Sequence, residues 1–403
     1  MSKSGQSPIS ASFTMQSSLG QKILWRQVWG LAALLAASIF CWMAYGFYQP
    51  KILQMIGFVH LASTLDILQG LMGAIAEPCI GLISDRIMQR VGHRLPIITV
   101  GITIAGLIFV TVSLLLEQAL PASILWFVPV LMMLWVLAMI VFRGPAIALL
   151  MQFAPAAELP KATSILVFIF GLVGAIGPLL GKLIQLLGAS LTFLLGAIVL
   201  VVGGLLLRST HPQHSIIPIG DAQKLPSLSR CSLIFAVGLC AGLQANLLLR
   251  HFPPILQFHL PNIGTEYITA SILFISAIAA LPVEPLTVKI DFNRAVLVSL
   301  AAIAGLMGLT IFANNSIFTI LLILAFGIAF GLLFIAQVPF ALGTVAPSQA
   351  GLGTGLYFGG MSLAGAIASI ILPQIARNAA TGVLWGAIAF TIAALSLAKI
   401  RHQ

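Results

Sequence analysis

The feature that leaves this chain fewest ways to fold is a series of apolar runs, each long enough to cross a bilayer, repeated from Val28 to Ala398. A membrane-crossing helix needs about 20 mainly apolar residues. Runs of that order, read against Gly, Pro and charge punctuation, fall near 28–48, 63–83, 97–116, 123–151, 162–181, 190–207, 231–252, 267–288, 295–313, 317–343, 350–372 and 382–398. Only 7% of the residues are charged, against roughly a quarter in a soluble domain, so the chain cannot clothe itself for water. The expected fold class is an all-α membrane protein of twelve transmembrane helices.

Charge sets the expected orientation. Fourteen of the 19 Lys and Arg residues fall in the N-terminal tail, the C-terminal end and every second joint, the joint after predicted helix 2 among them. By the positive-inside rule that side is cytoplasmic, and an even number of crossings puts both termini there. The protein is therefore expected as an integral multi-pass protein of the plasma or inner membrane, and as a monomer. The net charge of +10 is dispersed singly over loops, without the basic face interleaved with aromatics that nucleic-acid binding uses, so the lipid bilayer and not nucleic acid is the expected large partner. The tail 1–27 is polar and Ser-rich with no apolar core of signal-peptide length, so no cleavage is expected. Cys41, Cys79, Cys231 and Cys240 lie in apolar runs without metal-ligand spacing and read as packing residues. His211 and His214 read as solvated loop residues, and no cofactor or metal is implied.

The longest internal polar joint, 208–230, is rich in Pro, Ser and Gly and divides 28–207 from 231–398 as a flexible linker, with 399–403 as a short tail. The two divisions echo each other. AIAEPCIGLISDRIMQRVGHRLPIITVGITIAGL in the first answers to ALPVEPLTVKIDFNRAVLVSLAAIAGL in the second, which aligns Glu77-Pro78 with Glu284-Pro285. RGPAIALLMQFAP from Arg143 parallels QVPFALGTVAP from Gln337. Collinear repeats of this kind predict two pseudo-symmetric six-helix bundles with a solute site between them.

Within this frame, GLISDR from Gly81 to Arg86, followed by Arg90, Gly92, Arg94 and Pro96, resembles the loop signature of major facilitator transporters. The longer pattern, which also takes in Pro78 and Ser84, is similar to that of the glycoside and sucrose cation symporter branch. RGPAIALLMQFAP is similar to that branch's Q-G-P-x-R-A-L-x-A-D, but Arg143, Ile147 and Gln152 replace its Gln, Arg and Asp, which puts a sugar solute in doubt. GAIGPLLG, Gly174 to Gly181, is similar to a glycine-proline motif of drug and proton antiporters, although small residues also serve close helix packing. The resemblance implies a gating cluster of Gly81, Asp85, Arg86, Arg90, Gly92 and Arg94 that stabilises an outward-open state.

The residues themselves add detail. Asp85, near the end of predicted helix 2, can hold Arg86, Arg90 or Arg94. Glu77 lies about 12 Å deeper along the helix, and Asp66, Gln69, Gly73 and Glu77 recur at helical spacing as one polar or small stripe. Ionisable groups inside a membrane are costly and mark ion pathways, so Glu77, Glu284 and Asp66 are candidate proton or cation coupling sites. A Glu bonded to helix backbone beside Pro78 and Pro285 breaks is the structural alternative. Arg143 needs a counter-ion, and Glu77 is the candidate by depth; Arg143 either binds solute or neutralises that carboxylate. Trp42, Tyr45, Gln244, Asn246 and Gln337 are candidate cavity residues that could equally tie helices together.

The function expected is ion-coupled movement of a small organic solute by alternating access, with sugar-like symport ahead of drug or metabolite efflux. A transporter-shaped accessory protein for pigment or hydrophobic-partner assembly is the rival. No phosphate-binding loop and no grouped nucleophile and base point to an enzyme.

Overall fold

A computed structural model describes residues 22–58, 61–117, 125–210, 225–375 and 378–401, with the backbone alone for 283–289 and 401. Among these, twelve helices are long and apolar enough to cross a membrane. They are α1 (Trp25–Met55), α2 (Leu61–Val91), α3 (Leu95–Leu116), α4 (Phe127–Phe153), α5 (Ala156–Ala175), α6 (Gly177–Thr210), α7 (Leu228–Gln257), α8 (Thr265–Lys289), α9 (Phe292–Phe312), α10 (Ser316–Gly343), α11 (Pro347–Ile375) and α12 (Ala379–Ile400). Each helix satisfies its own backbone, which the hydrocarbon interior demands. The linker residues 211–224 and the tail up to 21 lie outside the described residues.

Local chemistry explains the main reversals. Gly92, at φ +83°, ends α2 in the left-handed conformation that favours glycine, and its N–H returns to the Met88 carbonyl at 2.9 Å. Two residues later Arg94 caps α3, with Pro96 in the first turn where its missing N–H costs nothing. Gly188, at φ +78°, reverses the chain inside α6. The stretch from Gly177 to Leu187 continues the line of α5 past a turn at Ile176, with Ile184 accepting from the Tyr48 hydroxyl at 2.6 Å. The return leg then passes Ser113, whose hydroxyl donates to the Ser190 carbonyl at 2.9 Å. The expected joint between 181 and 190 thus holds the reversal, but helical backbone continues almost up to it.

Prolines bend the expectations elsewhere. The helix α2 runs unbroken through Pro78, and α4 carries its turn at Leu149, beyond Pro145. No break at Glu77-Pro78 is present.

Packing divides the helices. In the N-terminal set α1 packs on α6, and α3 on α4 and α6; in the C-terminal set α8 and α9 pack on α10, and α7 on α11 and α12. Trp135 anchors the first set, stacked on Tyr45 at 4.5 Å and on Phe109 at 4.6 Å, with Trp42 edge-on at 5.0 Å. Cys41 and Cys240 are buried as expected, whereas Cys79 is exposed on α2. The two sets meet most extensively along α2 and α11, then along α5 and α8. Glycines make the approach possible. A Cβ on Gly81 would collide with the Gly351 carbonyl, and one on Gly355 with the Glu77 carbonyl.

Candidate functional site

Buried residues of α2 recur at Gly73, Glu77, Gly81, Ser84, Asp85 and Met88. This i, i+4 rhythm lays two carboxylates on the face that meets α11. Glu77 is 1% exposed and accepts from Nη2 of Arg143 on α4. Arg143 is the charged group that faces it among the described residues; α11 offers Gly355 and Thr354 there instead. Such a pair is tolerable in a membrane interior because each charge offsets the other, and removing one strands its partner.

Arg143 has a second side. Its side chain is 28% exposed, sits 5.3 Å from the Phe358 ring centre and lines a cavity of about 360 Å³. Around that cavity α1 contributes Trp42, α5 contributes Thr163 and Phe170, α10 contributes Phe334 and Gln337, and α11 contributes Phe358 and Ser362. Both helix sets therefore line one chamber. Arg143 and Gln337, which the internal repeat aligns, both face it, and the Gln337 Oε1 accepts from the Tyr357 hydroxyl at 3.4 Å.

A separate latch lies about two helical turns beyond the pair's level, eight residues further along α2. Asp85 accepts the N–H groups of Gly351 and Leu352 at 2.8 Å each, at the start of the regular part of α11. Helix N-termini leave such donors unpaired and favour an anion. Arg94, 2% exposed, completes the arrangement with 2.7 Å to Asp85 and 2.8 Å to the Ser84 hydroxyl. Arg86 and Arg90 are exposed and take no part in it, because positions one and five residues after Asp85 point off the α11 face.

Comparison with known proteins agrees with this arrangement of helices. The Major Facilitator Superfamily profile matches residues 31–369. The chain belongs to that superfamily. It is a multi-pass membrane transporter with the major facilitator fold, not an enzyme. Three solved structures are similar: the human organic anion transporter MFSD10 (TETRAN), at TM-score 0.68 and 14% identity over 93% of this chain and 100% of that one; a bacterial homologue of the iron transporter ferroportin, at 0.69 and 16% over 95% and 100%; and the E. coli fucose:proton symporter FucP, at 0.65 and 13% over 92% and 98%. At such identities the likeness concerns the fold. No curated protein sequence matches the chain.

Not every expected residue of this major facilitator protein reaches the chamber. Tyr45, 3% exposed, is held by the Gln69 amide at 2.5 Å and by stacking on Trp135, so it packs behind Trp42. Gln244, fully buried, donates to the Gly386 carbonyl at 3.1 Å and ties α7 to α12. Asn246 bonds back to the Gly242 carbonyl at 2.9 Å, just before a π-helical turn at Leu247–His251. Asp66 is exposed, accepts from Gln49 at 3.2 Å and shares a groove with Arg250 of α7 at the end opposite Asp85. The side chain of Glu284 lies outside the described residues. Gly174, which opens the glycine-proline motif, and Gly171 just before it pack against α8 at Leu273.

Sequence reasoning missed Thr163, Phe170, Phe334 and Ser362 in the cavity wall, and Gly351 as the latch partner. The aromatic residues gave no signal, since nothing in an apolar run marks which face meets the chamber. The glycine run GLGTGLYFGG from Gly351 to Gly360 was the usable clue, because repeated glycines in a helix imply close approach of another backbone.

Proposed function

We propose that this chain is a secondary transporter that moves a small organic solute by alternately opening the two ends of the chamber, with Glu77 as the proton- or cation-coupling group. The observation that carries the reading is the buried Glu77–Arg143 pair behind a chamber walled by both helix sets. Arg143 touches the chamber and Glu77 does not, so a change in the charge of Glu77 alters what Arg143 offers the solute. Coupling of that kind needs no contact between ion and solute.

The Asp85 latch supports the direction of opening. It closes one end, which the distribution of Lys and Arg assigns to the cytoplasm together with both termini. Asp66 and Arg250 share a groove at the other end and would approach when the halves rock. The division into bundles 28–207 and 231–398 joined by 208–230 belongs to this same reading. Sugar-like uptake receives little support from the wall, in which Leu35, Ile39, Phe170, Phe334 and Phe358 outweigh the hydroxyl and amide groups; a polyol needs many matched hydrogen bonds.

The test is solute-driven ion movement. Proteoliposomes with a trapped pH dye receive sugars, organic anions and cationic drugs in turn. The reading expects one class to move protons, or in sodium a matching cation, and Glu77→Gln to abolish the signal. Silence from every class in wild type would refute it.

A further inference from the structure

The chamber carries an unbalanced set of hydrogen-bonding groups. Nε of Arg143, Nε1 of Trp42 and Oγ1 of Thr163 are buried without a hydrogen-bond partner among the described residues. All three residues line the same cavity. The two N–H groups can only donate, and the hydroxyl is able to donate. Buried donors are normally paired; these three lie just under the chamber surface, Thr163 at 0% exposure, where a turn of the wall side chains brings an acceptor in the chamber within reach. Glu77 engages a single nitrogen of the guanidinium, Nη2, among the described residues, which leaves the rest of the fork for another partner.

The described wall contains no carboxylate. A cationic solute would thus find no carboxylate on the wall to hold it, because Glu77 lies behind Arg143 and is already paired with it. A sugar would supply acceptors, but its hydroxyl protons would need acceptors in turn. The Gln337 Oε1 is one, and Tyr357 already donates to it. An anion needs only donors. Beyond the donors, the Phe170, Phe334 and Phe358 rings offer apolar wall, and a volume of about 360 Å³ lies at the small end of ligand pockets.

We infer that the chamber binds a small organic monoanion, with a carboxylate head accepting from Arg143, Trp42 and Thr163 and an apolar body against Phe170, Phe334 and Phe358. The assignment rests on the transporter reading for the step of carriage, though binding itself does not require it. With Arg143 already shared with Glu77, a monoanion leaves one negative charge in excess, which a proton on Glu77 cancels, whereas a dianion would leave a second.

The experiment is ligand binding to the purified full-length protein in lipid nanodiscs, by thermal shift and calorimetry. The probes are 3-phenylpropionate, its neutral amide, 3-phenylpropylamine and D-glucose, each to millimolar concentration. The carboxylate is expected to stabilise the protein and the amide to bind about tenfold more weakly or worse, as loss of a charge-assisted bond requires. The amine and glucose should leave the melting temperature unchanged. Arg143→Lys, which keeps charge but loses the fork, should weaken the carboxylate about tenfold. Should that variant fail to fold, Trp42→Phe and Thr163→Val remain, each expected to weaken it several-fold.

Equal binding of amide and carboxylate, preference for amine or glucose, no binding of the carboxylate, or indifference to both Trp42→Phe and Thr163→Val would each overturn the assignment. If another solute class drives proton flux in proteoliposomes, this assignment alone fails. A carboxylate that binds while no solute class drives flux would leave it standing and remove the transport reading.

Discussion

Asp85 of α2 accepts the backbone N–H of Gly351 of α11 at 2.8 Å, so a side chain from one helix set closes off the start of a helix in the other. Leu352 supplies a second N–H to the same carboxylate at 2.8 Å, and Arg94 anchors it from behind at 2.7 Å. A latch of this form holds by charge-assisted hydrogen bonds that exist only while α2 and α11 touch.

Asp85→Asn should therefore release that end. The loss is on the order of 2 kcal/mol for bonds to a charged acceptor, enough to shift the ratio of closed to open molecules by tenfold or more. Spin labels at Gln89→Cys and Arg294→Cys, both exposed at the Asp85 end, in a background lacking the native cysteines, should report a new long-distance population. An unchanged distribution would mean that the latch contributes nothing to closure.

Gly355→Ala tests the close approach itself. The added methyl would overlap the carbonyl of Glu77 on α2, and a backbone obstacle cannot rotate away. Overpacking of this kind costs about 1–3 kcal/mol and should open the same end in the same distance measurement. Gly305→Ala, on α9 where a Cβ meets open space, is the control expected to change nothing.

Gln244 and Gln337 should separate by phenotype. Gln244→Ala removes a fully buried tie to the Gly386 carbonyl, a loss of about 1–3 kcal/mol where an acceptor is left unsatisfied. It should lower the melting temperature and leave 3-phenylpropionate affinity unchanged. Gln337→Ala, at the chamber wall, also strands the buried Tyr357 hydroxyl, so it should lower the melting temperature and change 3-phenylpropionate affinity as well. Interchanged effects would misplace the chamber.

Much of this site was legible because membrane burial makes charge conspicuous. Glu77 and Arg143 stood out as isolated charges at matching depth, and the structure pairs them. Asp85 stood out by its motif, but its true partners are backbone groups of Gly351 and Leu352, which no side-chain pattern announces. Choosing Arg94 over Arg86 and Arg90 required the Gly92 turn, which folds the start of α3 back towards α2. Tyr45 and Gln244 were unreadable for a different reason. A polar group in an apolar helix must find a partner, yet its sequence does not say whether that partner is a solute, a ring or a neighbouring carbonyl.

The most direct measurement concerns Glu77 and needs no knowledge of the solute: the Gln89–Arg294 label distance followed across neutral and acidic pH, in wild type and in Glu77→Gln. Among the described residues Arg143 on α4 is the charged group facing Glu77, while Gly355 and Thr354 face it from α11, and the Asp85 latch is present in both proteins. If Glu77 couples protonation to rocking, the wild-type populations move with pH and those of Glu77→Gln stay fixed, a result that Glu77→Gln with Arg143→Gln should repeat without the stranded charge. A pH response of equal size in Glu77→Gln would contradict the account.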